Sequence, residues 1–214
     1  MVDIFEKYNS KNEYIQQKGF FGFVANHRFL WLIMVIIIGF GLDQVSKIWV
    51  QTELAKSYPI EEEIVENGES KVIIKDIFYS TKVVEVVPNF FNLVYKENPA
   101  AAFSLTSSLP TWFRRPMLIS ISVLATLFFL IWYARMRPRD GVLLCSFSFV
   151  LAGAVGNLCD RARLGYVIDF LDVHLGFLGY QYLHWPTFNI ADSLIVLGAM
   201  GVIYRTIKPL HTLK

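Results

Sequence analysis

Three aspartates lie at the edges of strongly apolar segments, and these residues are the ones in the chain best suited to chemistry. Asp160 and Asp169 belong to the stretch GNLCDRARLGYVIDFLDV, and Asp192 lies in FNIADS. An ionised carboxylate is costly in apolar surroundings unless it is paired or used. Two carboxyls that share one proton can hydrolyse a peptide bond, because one activates water while the other donates to the scissile carbonyl. We therefore expect Asp169 and Asp192 to form the acid/base pair of an intramembrane aspartic peptidase.

The two candidates differ in their local sequence. Asp169 lies in YVIDFLDV, whose β-branched residues restrict the backbone. Asp192 is two residues into an apolar span, where the helix N-terminus favours a negative charge by roughly 0.3–1 kcal/mol. This difference suggests that Asp192 is the carboxylate and Asp169 carries the proton. A helix-end charge for Asp192 and a loop cap for Asp169 remain open as purely structural alternatives.

Other charged residues in apolar segments are interpreted as structural. Asp43 and Lys47 are four residues apart in the first span, so a helix places them on one face as an ion pair. Ser46 next to Lys47 is a poor serine/lysine dyad, because neighbouring helix residues point roughly 100° apart. Asp160 is expected to pair with Arg161 directly after the third span and to tether that helix end.

Metal, disulfide and nucleic-acid chemistry have little support in the sequence. No HExxH motif or phosphate loop is present, and His174 and His184 are expected to form hydrogen bonds at the membrane interface. Cys145 and Cys159 are expected to be unpaired thiols, since their spacing fits neither a disulfide framework nor a zinc site. The chain has no basic tract with interleaved aromatic residues, so nucleic acid is not an expected partner.

The composition is that of a polytopic membrane protein. The 214 residues are 54% hydrophobic with a net charge of +2, and the mean hydropathy is +0.43. Four apolar runs are long enough to span a bilayer. They cover residues 29 to about 50, 116–133, 142–158 and about 190–204. Small residues in the third and fourth runs predict close helix packing.

The long segment between the first two spans, residues 51–115, predicts a small β-sheet outside the membrane. Its stretches KVIIKDIFY, TKVVEVV and FFNLVY are rich in β-branched and aromatic residues and are expected to be strands. The acidic stretch SYPIEEEIVENGES is expected to be an exposed loop. Asn98, in YKENPAAAFSL, is compatible with either a turn or the lining of a substrate groove. The fold class is therefore four transmembrane helices with a small extracytoplasmic sheet.

The positive charges predict the orientation and the domain limits. Residues 1–28, 134–141 and 205–214 hold ten Lys or Arg in 46 residues, whereas residues 51–115 and 159–188 hold nine in 95. The first set is therefore expected to be cytoplasmic. The predicted units are a partly interfacial N-terminal arm (1–28), a four-span domain (29–207) and a cytoplasmic tail (208–214).

Five ordered motifs give the chain a family resemblance. DQVSK, ENPAAAFS, GNLCDR, GYVIDF and FNIADS follow one another between about Gly41 and Tyr204. In this order they resemble the bacterial lipoprotein signal peptidases (signal peptidase II). The resemblance implies a peptidase of the bacterial cytoplasmic membrane that cuts prolipoproteins before a diacylglyceryl-modified cysteine. It also implies a sheet that cradles the substrate and no metal or organic cofactor. The protein is expected to be a monomer in contact with membrane lipids.

The resemblance also assigns roles to individual residues. It implies that Asp169 and Asp192 are the catalytic pair. It assigns the substrate surroundings to Asn98, Asn157, Arg161 and Asn189, and structural support to Asp43, Lys47 and Asp160. The chain departs from the family pattern at Pro99 and Ala100, in the acidic stretch near residues 61–70 and in a longer loop between the catalytic aspartates. A competing hypothesis is a non-enzymatic four-helix protein whose aspartates relay ions or hold a partner subunit.

Overall fold

Four helices long and apolar enough to cross a membrane form the body of the protein in the part of the chain described. The computed structural model describes residues 19–66, 69–80, 82–99, 110–136, 140–174 and 185–207, with only the backbone path for 57–66 and 69–80. A short helix, α1 (Phe20–Asn26), precedes the four. The membrane-length helices are α2 (Arg28–Leu54), α3 (Thr111–Arg135), α4 (Gly141–Arg163) and α5 (Ile190–Ile207). The predicted four-helix membrane fold is confirmed.

The helices are longer than the apolar runs that predicted them. Helix α4 continues to Arg163, so Asp160 and Arg161 lie within its last turn and do not follow it. Helix α3 begins at Thr111, which puts Pro116 inside the helix. The predictions ended each span at its first polar residues. A helix continues through such residues where neighbouring groups satisfy their charges and hydrogen bonds.

Helix α4 is the central helix of the bundle. Of the 18 most apolar consecutive residues of α4, 61% are buried. The corresponding share is 11% in α3 and in α5, which leave broad apolar faces exposed. Small residues bring α4 and α5 into close contact, as predicted. A side chain at Gly153 would collide with the carbonyl oxygen of Ala191, and one at Gly198 would lie 2.6 Å from Val150 Cγ2. Close backbone contact thus fixes the first turn of α5 against α4.

A three-stranded antiparallel sheet lies at one end of the bundle. It consists of β3 (Val84–Val87), β4 (Phe91–Asn98) and β5 (Val167–Val173), in the order β3-β4-β5. One face of the sheet packs on the end of α2, where Tyr95, Ile168 and Phe170 join Val50 and Leu54 in a buried apolar cluster. The sheet is therefore fixed to the helices that carry the charged residues. A sheet here was predicted, but β5 was not.

A second pair of strands corrects one prediction. Strands β1 (Ala55–Glu66) and β2 (Glu69–Ser80) form an antiparallel ribbon with twelve paired positions, from Ala55↔Ser80 to Glu66↔Glu69. The expectation of an exposed loop over the acidic stretch is wrong, whereas the strand expected in KVIIKDIFY is present as part of β2. Strand propensity depends on the partner strand more than on composition, and β2 supplies the hydrogen bonds that the acidic sequence alone did not predict.

Part of the predicted N-terminal arm lies in α1. Phe20, Phe21 and Phe23 are all at least 40% exposed on this helix, and their expected position at a membrane interface stays a prediction. Residues 1–18 of the predicted arm, the predicted tail, Ala100 and His184 lie outside the described residues. The proposed domain limits stay predictions.

Alanine substitutions at two separate glycines test the helix packing. Gly153→Ala should lower the melting temperature, because the added methyl group meets backbone of α5; overpacking typically costs about 1–3 kcal/mol. Gly41→Ala in α2 is the matched control, since nothing lies within 4 Å of a Cβ placed there. Thermal unfolding in detergent measures both variants. Equal melting temperatures for the two would contradict the close α4–α5 contact.

Candidate active site

Asp169 projects from the middle of β5 and is held by two side-chain amides. Asn189 Nδ2 donates to its Oδ1 at 2.8 Å, and Asn98 Nδ2 donates to its Oδ2 at 2.9 Å. The residue is 2% exposed. Strand β5 gives this carboxyl a fixed position, because flanking Val167, Ile168 and Phe170 are buried in the core. The loop-cap alternative for Asp169 is therefore wrong.

Asp192 belongs to a reciprocal cap at the start of α5. The Asn189 Oδ1 accepts a hydrogen bond from Asp192 N at 2.9 Å, and Asp192 Oδ2 accepts one from Asn189 N at 3.3 Å. This arrangement is a capping box with Asn and Asp in the two roles. The cap fixes the direction of the Asp192 carboxyl and leaves Oδ1 to a different donor.

Asn157 and Asn189 link the two carboxyls. Asn157 Nδ2 donates to Asp192 Oδ1 at 2.7 Å, while its own Oδ1 accepts from Asn189 Nδ2 at 3.3 Å. Because Asn189 also donates to Asp169, a continuous chain of amide hydrogen bonds joins both acids. Neutral donors orient the two carboxyls without adding a charge that would neutralise either one.

The pKa of Asp169 is shifted into the range useful for acid/base catalysis. Burial raises it from 3.8 to about 6, and the nearby Asp192 carboxyl also raises it, whereas the hydrogen bonds from Asn98 and Asn189 oppose the shift. A carboxyl with such a pKa carries a proton under mildly acidic conditions. It can therefore donate to a substrate oxygen, which an ordinary aspartate at that pH cannot do.

A buried ion cluster lies directly behind the amide chain. Lys47 Nζ is 2.8 Å from Asp43 Oδ2 and 2.7 Å from Asp160 Oδ2, and it also donates to Asn157 Oδ1 at 3.3 Å. All three charged residues are at most 1% exposed. The expected pairing of Asp43 with Lys47 is present. The expected pairing of Asp160 with Arg161 is wrong, since Asp160 pairs with Lys47 on another helix.

Gln44 was not among the predicted site residues, although it completes this cluster. Its Nε2 donates to Asp160 Oδ1 at 2.9 Å and to Asp43 Oδ2 at 3.1 Å, and its Oε1 accepts from Arg163 Nη1 at 3.1 Å. The sequence signal was a third polar residue beside an Asp and Lys in an otherwise apolar run.

Both aspartates open onto a groove of about 890 Å³ between α3, α4 and α5. Its floor is apolar, and its polar groups are concentrated near the sheet. Arg161 lines the groove close to both carboxyls. Its neighbour in sequence, Asp160, belongs instead to the buried ion cluster. The apolar lining includes Ile121, Ala125, Phe129, Val150, Ile195 and Val196. The groove suits a long apolar ligand with a polar end beside the aspartates.

Other candidate residues remain outside this site. Ser46 Oγ donates to Asp43 O, which fits a structural role. Cys145 and Cys159 are free thiols, as predicted. Among the described residues no three His, Cys, Asp or Glu side chains are grouped to hold a metal ion. His174 donates its backbone N–H to Phe90 O beside the sheet.

Fold and site together define a polytopic membrane protein with paired carboxyls facing an apolar groove at one end of its helix bundle. The family model described as signal peptidase (SPase) II matches residues 33–208. The chain belongs to the signal peptidase II family, which is a family of proteases.

Individual relatives agree with this membership. The chain is 35% identical to the lipoprotein signal peptidase of Cellvibrio japonicus over 83% of its own length and 86% of the relative. It is 37% identical to that of Syntrophus aciditrophicus over 65% of its length and 83% of the relative. A solved bacterial membrane enzyme, determined by the in meso method at 2.3 Å resolution, superposes with a TM-score of 0.56 at 25% identity, covering 88% of this chain and 92% of that one.

Removal of the buried cation tests the ion cluster. Lys47→Met should destabilise the protein by about 3–5 kcal/mol, because Asp43 and Asp160 would remain buried without a positive charge. Chemical or thermal unfolding in detergent measures the loss. Lys56→Met is the control, since Lys56 is exposed and surface substitutions usually change stability by less than about 0.5 kcal/mol. Equal stability of the two variants would show that the cluster does not support the fold.

Proposed function

We propose that the protein removes signal peptides from diacylglyceryl-modified prolipoproteins, with Asp169 and Asp192 as its catalytic dyad and a cut just before the lipidated cysteine. The observation that carries this proposal is the convergence of two aspartates, joined by Asn157 and Asn189, on one apolar groove. The relatives from Cellvibrio japonicus and Syntrophus aciditrophicus are lipoprotein signal peptidases, which supports the substrate class.

The two acids have different roles in the reaction. Asp169 carries the shared proton, because burial raises its pKa to about 6. Asp192, at the N-terminus of α5, is the carboxylate and accepts from Asn157 and from the backbone of Asn189. It removes a proton from the attacking water while Asp169 donates to the carbonyl oxygen of the scissile bond. The apparent pKa values belong to the pair, because the two carboxyls titrate together.

The remaining groove residues bind the substrate. Asn98 and Asn157 line the groove, where they orient the catalytic carboxyls and offer hydrogen-bonding groups to the peptide backbone, and Arg161 adds a positive charge at its polar end. Asn189 is 0% exposed and does not line the groove, so it acts on the substrate through the two aspartates that it holds. The apolar lining accepts the acyl chains and the apolar part of the signal peptide, with burial worth about 0.8 kcal/mol per CH₂ group. Asp43, Lys47 and Asp160 support this arrangement from behind.

The cellular setting follows the same proposal. The protein is a multi-pass monomer of the bacterial cytoplasmic membrane, with both termini cytoplasmic and the dyad near the outer face, and it uses no cofactor. The charge distribution of the loops supports this orientation. An ion relay is a weaker candidate, since Asp169 lies on a strand outside the spans and Asp192 lies in the first turn of its helix.

Cleavage of a purified lipidated precursor tests the dyad. Asp169→Asn and Asp192→Asn should each lower the cleavage rate on the order of 10²–10⁴-fold, because either change removes one half of the proton transfer. Asp172→Asn is a matched control on the same strand, where its carboxylate lies beside Asn92. Unlipidated precursor should be cut slowly by the unaltered enzyme. A dyad variant that cleaves at the normal rate would refute the proposal, and equal cleavage of both precursors would refute the substrate class.

The pH dependence tests the assignment of the proton. The dyad needs one protonated acid, so kcat/KM should fall as the pH rises above the pKa of about 6 at Asp169. Asn98→Ala removes a donor that stabilises the ionised form of Asp169, so its pKa should rise further and the alkaline fall should move to higher pH. Asn92→Ala, farther along the same strand, should leave the profile in place. An alkaline fall that stays in place in Asn98→Ala would instead assign the proton to Asp192.

A further inference from the structure

Lys96 lies directly across from a catalytic aspartate on the sheet. In the antiparallel ladder of β4 and β5 its Cα is paired with that of Asp169, and Asn98 is paired with Val167. Directly opposed residues share one face of a sheet, as do residues two apart on a strand. Lys96 therefore belongs to the face that carries Asn98 and Asp169, while Tyr95 on the opposite face is buried against α2.

The position of Lys96 is just outside the groove. Asn98 lines the groove, and Lys96 is the next residue on the same face, about 7 Å farther along the strand. Asn98 and Val167 are at the end of the sheet nearest the end of α4, because β5 begins four residues after α4 ends at Arg163. In the proposed orientation, the step from Asn98 to Lys96 leads from the groove towards the aqueous side.

The ammonium group of Lys96 is available to a ligand. The residue is exposed, and its side chain forms no ion pair or hydrogen bond with the described residues. Two neighbouring carboxyls are engaged elsewhere, since Asp169 accepts from two asparagines and Glu97, on the other face, accepts from Tyr95 Oη at 2.9 Å. A positive charge without a partner beside an active site attracts negatively charged groups of a ligand that binds there.

We propose that Lys96 is a specificity-determining residue that favours an acidic side chain in the first residues after the cleaved bond. This inference rests on the proposed function. With the acyl chains in the groove and the scissile bond at Asp169 and Asp192, the mature part of the substrate must leave towards the aqueous side. The face bearing Lys96 is the part of the sheet adjoining that exit. An acidic side chain there pairs with the ammonium group, whereas a basic one is repelled.

A charge swap tests the proposal. Lipidated precursors are prepared that differ only by Asp, Asn or Lys at the second, third or fourth residue of the mature segment, and kcat/KM is measured for each. The unaltered enzyme should prefer Asp to Lys at one or more positions by about two- to fivefold, the effect of an exposed ion pair. Lys96→Gln should remove the preference, Lys96→Glu should reverse it, and high salt should weaken it.

A control variant and the pattern of rates distinguish failure of the specificity inference from failure of the proposed function. Lys56→Glu changes charge equally at an exposed position on β1 and should keep the preference of the unaltered enzyme. An unchanged preference in Lys96→Glu overturns the inference, as does an equal slowing of all precursors, which would indicate an effect through the carboxyl of Asp169. If the unaltered enzyme cleaves none of the lipidated precursors, the proposed function itself is wrong and the inference falls with it.

Discussion

The structure depends on one buried cation between two buried carboxylates. Lys47 contacts Asp43 on its own helix and Asp160 on α4, and every carboxylate oxygen in the cluster has a donor. Ala191 N donates to Asp43 Oδ1 at 2.9 Å, and Ile168 N donates to Asp160 Oδ2 at 3.4 Å. The cluster therefore joins α2, α4, the first turn of α5 and the start of β5. Desolvation makes such a group costly if any member is missing, so these four elements have to assemble together.

This constraint positions the acids of the groove. Asp169 follows Ile168, whose N–H is bound by Asp160, and Asp192 follows Ala191, whose N–H is bound by Asp43. Each acid of the proposed dyad is thus adjacent in sequence to a backbone group held by the ion cluster. Because Lys47 is already shared by two carboxylates, the acids of the groove are held by amides and can keep a shared proton. The carboxyls of the ion cluster are thus bound to a cation, whereas those of the proposed dyad are bound to neutral amides.

Sequence reasoning predicted the parts of this arrangement that have local signatures. Long apolar runs predicted four helices, and the spacing of Asp43 and Lys47 predicted an ion pair within one turn. Asp160 was misassigned because its partner is 113 positions away in sequence, and its neighbour Arg161 offered the simpler explanation. Strand β1, its pairing with β2, and strand β5 were missed for a related reason, since strand pairing depends on distant residues that a local pattern does not contain.

The cap of α5 shows why the proposed carboxylate lies at a helix start. A carboxyl inside the span would be surrounded by lipid or apolar side chains, whereas the first turn of a helix offers N–H groups without intrahelical partners. Asp192 uses one oxygen for the N–H of Asn189 and presents the other to Asn157. The cap at the start of α5 thus orients the Asp192 carboxyl towards Asn157 on α4. A strand on one side and a helix start on the other hold two acids at one end of the helix bundle, beside the apolar groove.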